Sequence, residues 1–349
     1  MSQWRLDWPT SGGARVASGR LKTAPGDFVV DEVLELPDIS SDVHVDAVAG
    51  SGEHLCLKLE KVGDNTEYVA RELARMAGCR NFDVGFCGLK DRHAVTRQWF
   101  SLYRPGCEGQ DALLIQEIAE RWPVRAASRQ VRKLRRGDHS GNGFVIVLRG
   151  IIGDRQAIED ALNRLAVIGA PNYFGPQRFG IGGANLDRAV SLDPTALNRR
   201  GRPGGKGRGG KKRGGSEGAK NVLYFSAARS WLFNEVLAAR VEDGTWVEPE
   251  ATGPLWGDGG TKASGALETL ERGIVAQTPG LADLFSVTRM KPERRPLAVK
   301  PEKLSWQWLG EDCLELAFFL SPGQYATTVL SDIFELEDMS LGRHNEQQG

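Results

Sequence analysis

Cys87-Gly88-Leu89-Lys90-Asp91-Arg92-His93-Ala94-Val95-Thr96-Arg97-Gln98 is the most informative stretch of this 349-residue chain. It sets an acid, Asp91, between two cations, Lys90 and Arg92. A strand-like run at 82–87 precedes it and another at 98–102 follows it. Nearby positive charge favours an ionised carboxylate. An aspartate held this way at a strand end can serve as a nucleophile, but surface turns built on structural ion pairs look the same. The charges alone leave both readings open.

Outward from this stretch, residues 54–61 alternate like a strand, with Leu55, Leu57 and Leu59 on one face. Asp64-Asn65-Thr66 then offers N-caps for a helix ending near Ala77. Val69, Leu73 and Met76 recur at helical spacing, and Gly78 stands where a C-cap glycine belongs. Further along, 144–148 reads as a strand, 154–168 as a helix with Ile158, Leu162, Leu165 and Ile168 on one side, and 313–320 as a strand. Pro322-Gly323 is a turn before a helix over 324–334, and Ser226 caps a helix over 227–241. Strands and helices mix without regular alternation, which predicts an α+β fold.

The chain is long for a single core, so two domains, or one with a large insertion, are expected. Hydrophobic content of 40% and charged content of 26% are ordinary for a soluble globular protein. No run approaches a membrane span, and the first residues lack the apolar stretch of a signal peptide. Five cysteines, odd in number and widely spaced, show no Cys-x-x-Cys pair. They read as reduced thiols of a cytoplasmic protein rather than a zinc site or a disulfide framework.

Net charge is zero, but unevenly distributed. Residues 199–220 hold nine basic residues against one acid, leaving 36 basic and 44 acidic residues elsewhere, a net of −8. Within this segment, 201–218 is rich in Gly, Lys and Arg without a large apolar residue. It reads first as a flexible, solvated loop inside a domain, and compatibly as a basic arm for phosphates.

Four further motifs each have a structural reading and a functional one. In Lys22-Thr23-Ala24-Pro25-Gly26-Asp27-Phe28-Val29-Val30-Asp31-Glu32, a turn leads into a short strand. In Gly141-Asn142-Gly143-Phe144, a glycine-rich turn feeds a strand and lets a ligand approach the backbone. Asn142 can donate and accept, and Phe144 can stack on a base. Pro171-Asn172-Tyr173-Phe174-Gly175-Pro176-Gln177-Arg178-Phe179-Gly180 interleaves aromatics with polar groups suited to RNA, or is a structural loop. Pro322-Gly323-Gln324-Tyr325-Ala326-Thr327 is a turn with Tyr325 as a packing aromatic.

Taken together, these strings closely resemble the TruD family of tRNA pseudouridine synthases. In that family the Asp of Gly-x-Lys-Asp-Arg is catalytic, and Lys-x-x-Pro-x-Asp-Phe-x-Val-x-Glu and Gly-Asn-x-Phe patterns accompany it. The matches run in order from Lys22 to about Thr328. The family usually has Phe where Tyr325 stands, near the target base. The segment 199–220 has no counterpart and looks like an insertion.

The resemblance implies a catalytic Asp91. It places Phe28, Asn142, Phe144 and Tyr325 at the substrate, with Lys22, Lys90 and Arg92 as cations of the site. It implies a pseudouridine-synthase catalytic domain around a mixed, mainly antiparallel sheet (1–167 and 299–349), with a TruD-specific α/β domain inserted at 168–298. The implied reaction isomerises a uridine of tRNA, at position 13 of the D-arm, to pseudouridine. The bond from ribose C1′ to uracil N1 breaks and the base rejoins through C5. No redox change or added group is involved, so no cofactor and no metal is expected. A monomer without a protein partner is expected, acting on tRNA in the cytoplasm. Two other classes fit parts of the sequence: an RNA-binding module without catalysis, and a hydrolase pairing Asp91 with Glu32 to release free base.

Overall fold

The structure, a computed structural model, describes residues 4–37, 39, 48–192, 214–248, 250–286 and 290–341, with the backbone alone for 214–221. The chain divides into two compact units. One comprises Ala17–Arg155, Pro301–Gln324 and Phe334–Gly349; the other comprises Met1–Val16, Gln156–Lys300 and Tyr325–Ile333. The expected catalytic segments, 1–167 and 299–349, are thus shared between the units: the first sixteen residues, 156–167, 299–300 and 325–333 group with the inserted segment.

The first unit is built on a ten-stranded sheet. In chain order it contains β1 (Ala17–Leu21), β2 (Phe28–Val33), β3 (His54–Val62), β4 (Gly85–Phe86), β5 (Val95–Tyr103), β6 (Val124–Gln130) and β7 (Gly141–Gly153), followed by Glu302–Trp308, Cys313–Leu320 and Phe334–Asp338. The order across the sheet is Glu302–Trp308, Cys313–Leu320, β7, β2, β5, β3, β6. Strand β1 pairs with β7 and with Phe334–Asp338, and β4 pairs with β5. Among the described strand pairs, only β2 with β5 and β1 with Phe334–Asp338 run parallel, so the sheet is mixed and mainly antiparallel.

Helix α1 (Thr66–Met76) starts where Asn65 Oδ1 accepts the Tyr68 N–H at 2.8 Å. It stops at Ala77, and Gly78 takes a φ of 66°, a conformation glycine adopts without a Cβ clash. With α2 (Asp111–Ala119) it covers one sheet face, where Val69, Leu73, Leu114, Ile115 and Ile118 pack on Leu55, Leu57, Leu59, Phe100 and Leu102. Cys56, Trp99 and Ala126, on the opposite face of the same strands, meet Leu34, Cys87 and Leu134. All five cysteines are free thiols. Gly141 opens β7 at a point where a Cβ would run into the Phe319 ring and the Leu320 carbonyl, so this glycine is needed for the strands to approach.

The second unit centres on a helix, Gly214–Glu242, that buries Ala228, Trp231, Leu232, Val236 and Leu237 against Trp8, Phe174, Phe179, Trp246 and Phe285. Two short antiparallel pairs flank it: Thr252–Leu255 with Glu293–Pro296, and Ala170–Pro171 with Ala298–Val299. Among the described residues, no helix is long and apolar enough to cross a membrane.

Three readings of local structure change. The run 82–87 is mostly a turn: Asp83 accepts from Arg80 N and Nε, which folds Asn81–Asp83 into a 3-10 helix and leaves Gly85–Phe86 as strand. The helix expected over 324–334 is confined to Ala326–Leu330, because Phe334 joins β1 and begins a strand. The helix expected from 227 begins at Gly214, so 214–220, assigned to a flexible loop, has helical backbone; 199–213 lies outside the described residues.

Candidate active site

The loop carrying Asp91 hangs between β4 and β5 and is tied down by its backbone. Gln98 Nε2 donates to Gly88 O at 2.6 Å, and Lys90 N donates to Thr66 Oγ1 at 3.0 Å. That hydroxyl, at the first residue of α1, donates to Gln98 Oε1 at 3.0 Å. Gly63 N donates to Arg92 O at 3.0 Å. Asp91 Oδ1 accepts the His93 N–H at 2.9 Å, an Asx turn that fixes the carboxylate's orientation.

The other carboxylate oxygen meets Lys22, whose Nζ lies 2.5 Å from Asp91 Oδ2 and 3.3 Å from Asp338 Oδ2. Lys22 is 4% exposed, against 35% for the Asp91 side chain. Lys22 follows β1 with a φ of 57°, the left-handed region, which costs an L-residue about 1–2 kcal/mol. Such strain persists where the surroundings over-determine it, often at functional sites. Asp338 arrives because Leu21 and Asp338 are paired where β1 runs beside the C-terminal strand. Burial works to raise the Asp91 carboxyl. The Lys22 hydrogen bond, the His93 N–H and the charges of Lys22 and His93 outweigh it and hold the group below its ordinary 3.8.

The two cations flanking Asp91 in sequence point elsewhere. Lys90 Nζ lies 2.5 Å from Glu32 Oε2, and Glu32 is fully buried, with Oε1 accepting Trp99 N–H at 3.1 Å. Arg92 is exposed and makes no ion pair among the described residues. The ammonium that meets Asp91 is therefore 69 residues away in sequence, not adjacent.

Phe28 and Phe144 come together on neighbouring strands, since Phe144 faces Val30 on β2 and Phe318 on its other side. Their ring centroids are 6.1 Å apart, edge to face, and Phe144 stacks on Phe318 at 5.5 Å. Phe28 also carries the Lys22 ammonium 4.9 Å from its centroid. Asn142 sits opposite Glu32 in the same ladder, and its buried Oδ1 has no hydrogen-bond partner among the described residues. Tyr325 belongs to the other unit, where it is 41% exposed and precedes the Ala326–Leu330 helix.

Asp338, Phe318, Thr66 and Lys61 were missed from the sequence. Lys61 carried a signal: it continues the series Leu55, Leu57, Leu59 and so puts an ammonium on the buried face. It is 2% exposed and donates to Asp64 O at 2.8 Å. Burial pushes it from 10.5 down to about 8, against the opposing pull of Asp64 and Asp91.

A family model described as tRNA pseudouridine synthase D (TruD) matches residues 13–185. A Marinobacter nauticus protein named tRNA pseudouridine synthase D is 63% identical, over 99% of each chain. The chain belongs to the TruD family. A Pseudomonas putida member is 37% identical, covering 96% of this chain and 97% of its own. A solved structure from Methanosarcina mazei, described as a TruD protein, superposes with a TM-score of 0.64 at 20% identity. It covers 91% of this chain and 94% of its own, which shows the shared fold.

Proposed function

We propose that this TruD-family chain isomerises a uridine of tRNA to pseudouridine, with Asp91 as the attacking residue. The observation that carries this reading is the Lys22–Asp91 contact: a buried ammonium in a strained backbone conformation, bonded to a partly exposed carboxylate. An ionised Asp91 can attack C1′ as N1 departs, or assist departure by taking a 2′ proton. The freed ring then turns and C5 bonds to C1′, breaking the Asp91–C1′ bond on the first route or with return of the 2′ proton on the second; C5 gives up its proton and N1 takes one up. Substrate and product have the same atoms. Phe28 and Phe144 would border the base, and the open acceptor of Asn142 suits a uracil N–H. The family expectation of position 13 in the D-arm is adopted for the target, with the sheet unit as catalytic domain, residues 168–298 as the inserted one, and a monomer working in the cytoplasm.

A hydrolase using Asp91 with Glu32 is disfavoured because Glu32 is fully buried and neutralised by Lys90. Incubation with an unmodified tRNA transcript, followed by nucleoside analysis, tests the reading. Pseudouridine without free uracil is the expected result; free uracil, or binding without change, would replace it with one of the alternatives. Asp91→Asn should abolish product while tRNA affinity stays within about tenfold, roughly 1.4 kcal/mol.

A further inference from the structure

The string from Asn172 to Phe179 is only partly explained by packing. Phe174 and Phe179 are core residues of the second unit, and Asn234 pairs with the Phe174 backbone, Oδ1 accepting and Nδ2 donating, each at 2.9 Å. Two guanidinium groups crowd the Phe174 ring: the Arg295 carbon lies 4.2 Å and the Arg178 carbon 5.3 Å from its centroid. Both arginines are half-buried. Arg295 is anchored by Asn172, with Nη2 donating to Oδ1 at 2.5 Å. Arg178 uses Nε on Ser230 Oγ at 3.3 Å. Its two terminal nitrogens have no hydrogen bond, and it has no carboxylate partner, among the described residues.

Like charges gathered in a partly desolvated place are unfavourable without an anion. Burial, together with the charge of Arg178, lowers Arg295 to about 10. Tyr325, which interacts electrostatically with Arg295, presents a phenol at the surface of the same unit. Thr328 adds a buried hydroxyl with no hydrogen-bond partner among the described residues, 3.5 Å from where a Cβ on Gly175 would stand. The unit thus offers donors and positive charge. An RNA phosphodiester, with acceptor oxygens and full charge, matches these groups, and arginine's planar fork suits it.

We propose that Arg178, with Arg295, Tyr325 and Thr328, forms a subsite for a backbone phosphate of the bound RNA. The assignment rests on the reading of the chain as an RNA-modifying enzyme, but it does not involve Asp91. The test measures binding of an unmodified tRNA transcript to the full chain over a range of salt, for the wild type and Arg178→Gln. Losing one phosphate contact should flatten the slope of log K against log salt by roughly 0.7–0.9. Affinity at low salt should weaken about tenfold. Arg178→Lys should recover part of the slope, which a merely structural arginine would not do. An unchanged slope in a folded Arg178→Gln protein overturns the subsite. If that variant fails to fold, Thr328→Val decides: a several-fold loss of affinity at unchanged thermal stability supports the subsite, and unchanged affinity overturns it. A wild type that binds tRNA without forming pseudouridine would defeat the catalytic reading alone and leave the salt slopes to judge this one.

Discussion

Lys22→Met retains side-chain volume but deletes the ammonium shared by Asp91 and Asp338. Both carboxylates lie within 3.3 Å of that nitrogen, so the variant leaves two acids facing each other without a counter-charge. Removing one partner of a buried ion pair costs about 3–5 kcal/mol. The Asp91 side chain is 35% exposed, and solvent screening there reduces the expected loss to about 2 kcal/mol. The loss depends on pH in a definite sense. The folded Asp91 titrates below 3.8, so its contribution is fully present above the unfolded value and fades as pH falls through the folded one. In the variant, burial raises the Asp91 carboxyl with no ammonium to oppose it. Wild type and variant should therefore differ fully at pH 7 and converge on acidification. Urea denaturation of both proteins from pH 7 down through 3.8 to about pH 2.5 measures this. In parallel, the acid limb of kcat/KM should move to higher pH in Lys22→Met and stay near its original place in Lys22→Arg. A stability deficit independent of pH would assign the loss to packing. An unmoved acid limb would show that Lys22 does not keep Asp91 ionised.

Phe144→Leu should keep most of the fold while losing base stacking, worth about 1–3 kcal/mol; full turnover per folded molecule would make the ring a packing residue only. Glu32→Gln should cost about 3–5 kcal/mol by stranding Lys90, and pairing Glu32→Leu with Lys90→Met should recover most of what each loses alone. Additive losses in that denaturation cycle would deny the coupling. Lys61 titrates at about 8 when folded and near 10.5 when unfolded, so between those values the unfolded chain holds a proton that the folded one has released, and stability rises with pH. Lys61→Met should remove that rise, a difference on the order of 3 kcal/mol in stability curves taken from pH 7.5 to 10.5; parallel curves would refute it.

Local pattern carried much of the architecture. The Leu55, Leu57, Leu59 alternation, the Asn65 cap with Gly78, and the strand at 313–320 all stand where periodicity and capping put them. The failures have separate causes, one long-range and one local. Phe334 leaves a helical pattern for a strand because β1 supplies a partner 317 residues earlier, and Asp83 turns a strand-like run by bonding to Arg80. The site shows the same division. Asp91 is legible from its own string, but the charge that meets it comes from Lys22 and not from its neighbours Lys90 and Arg92. Adjacent loop residues project in different directions, and only sheet order brings Lys22 and Asp338 together. Lys61 was readable in principle as a charge in an apolar series.

The parallel pairing of β1 with Phe334–Asp338 orders events during synthesis. Lys22 and Asp338 are 316 residues apart. At about 5–20 residues per second, a ribosome takes between about 15 s and a minute to go from one to the other. Once β7 has emerged, β1 can find it on one side, while its other edge still exposes unpaired N–H and C=O groups, the kind of edge to which a foreign strand can add. The ammonium of Lys22 can meet Asp91 early, but its second carboxylate arrives only 316 residues later. Closure of this edge and completion of the charge cluster are one event, so a nascent chain cannot hold the finished site before its C-terminal strand has emerged.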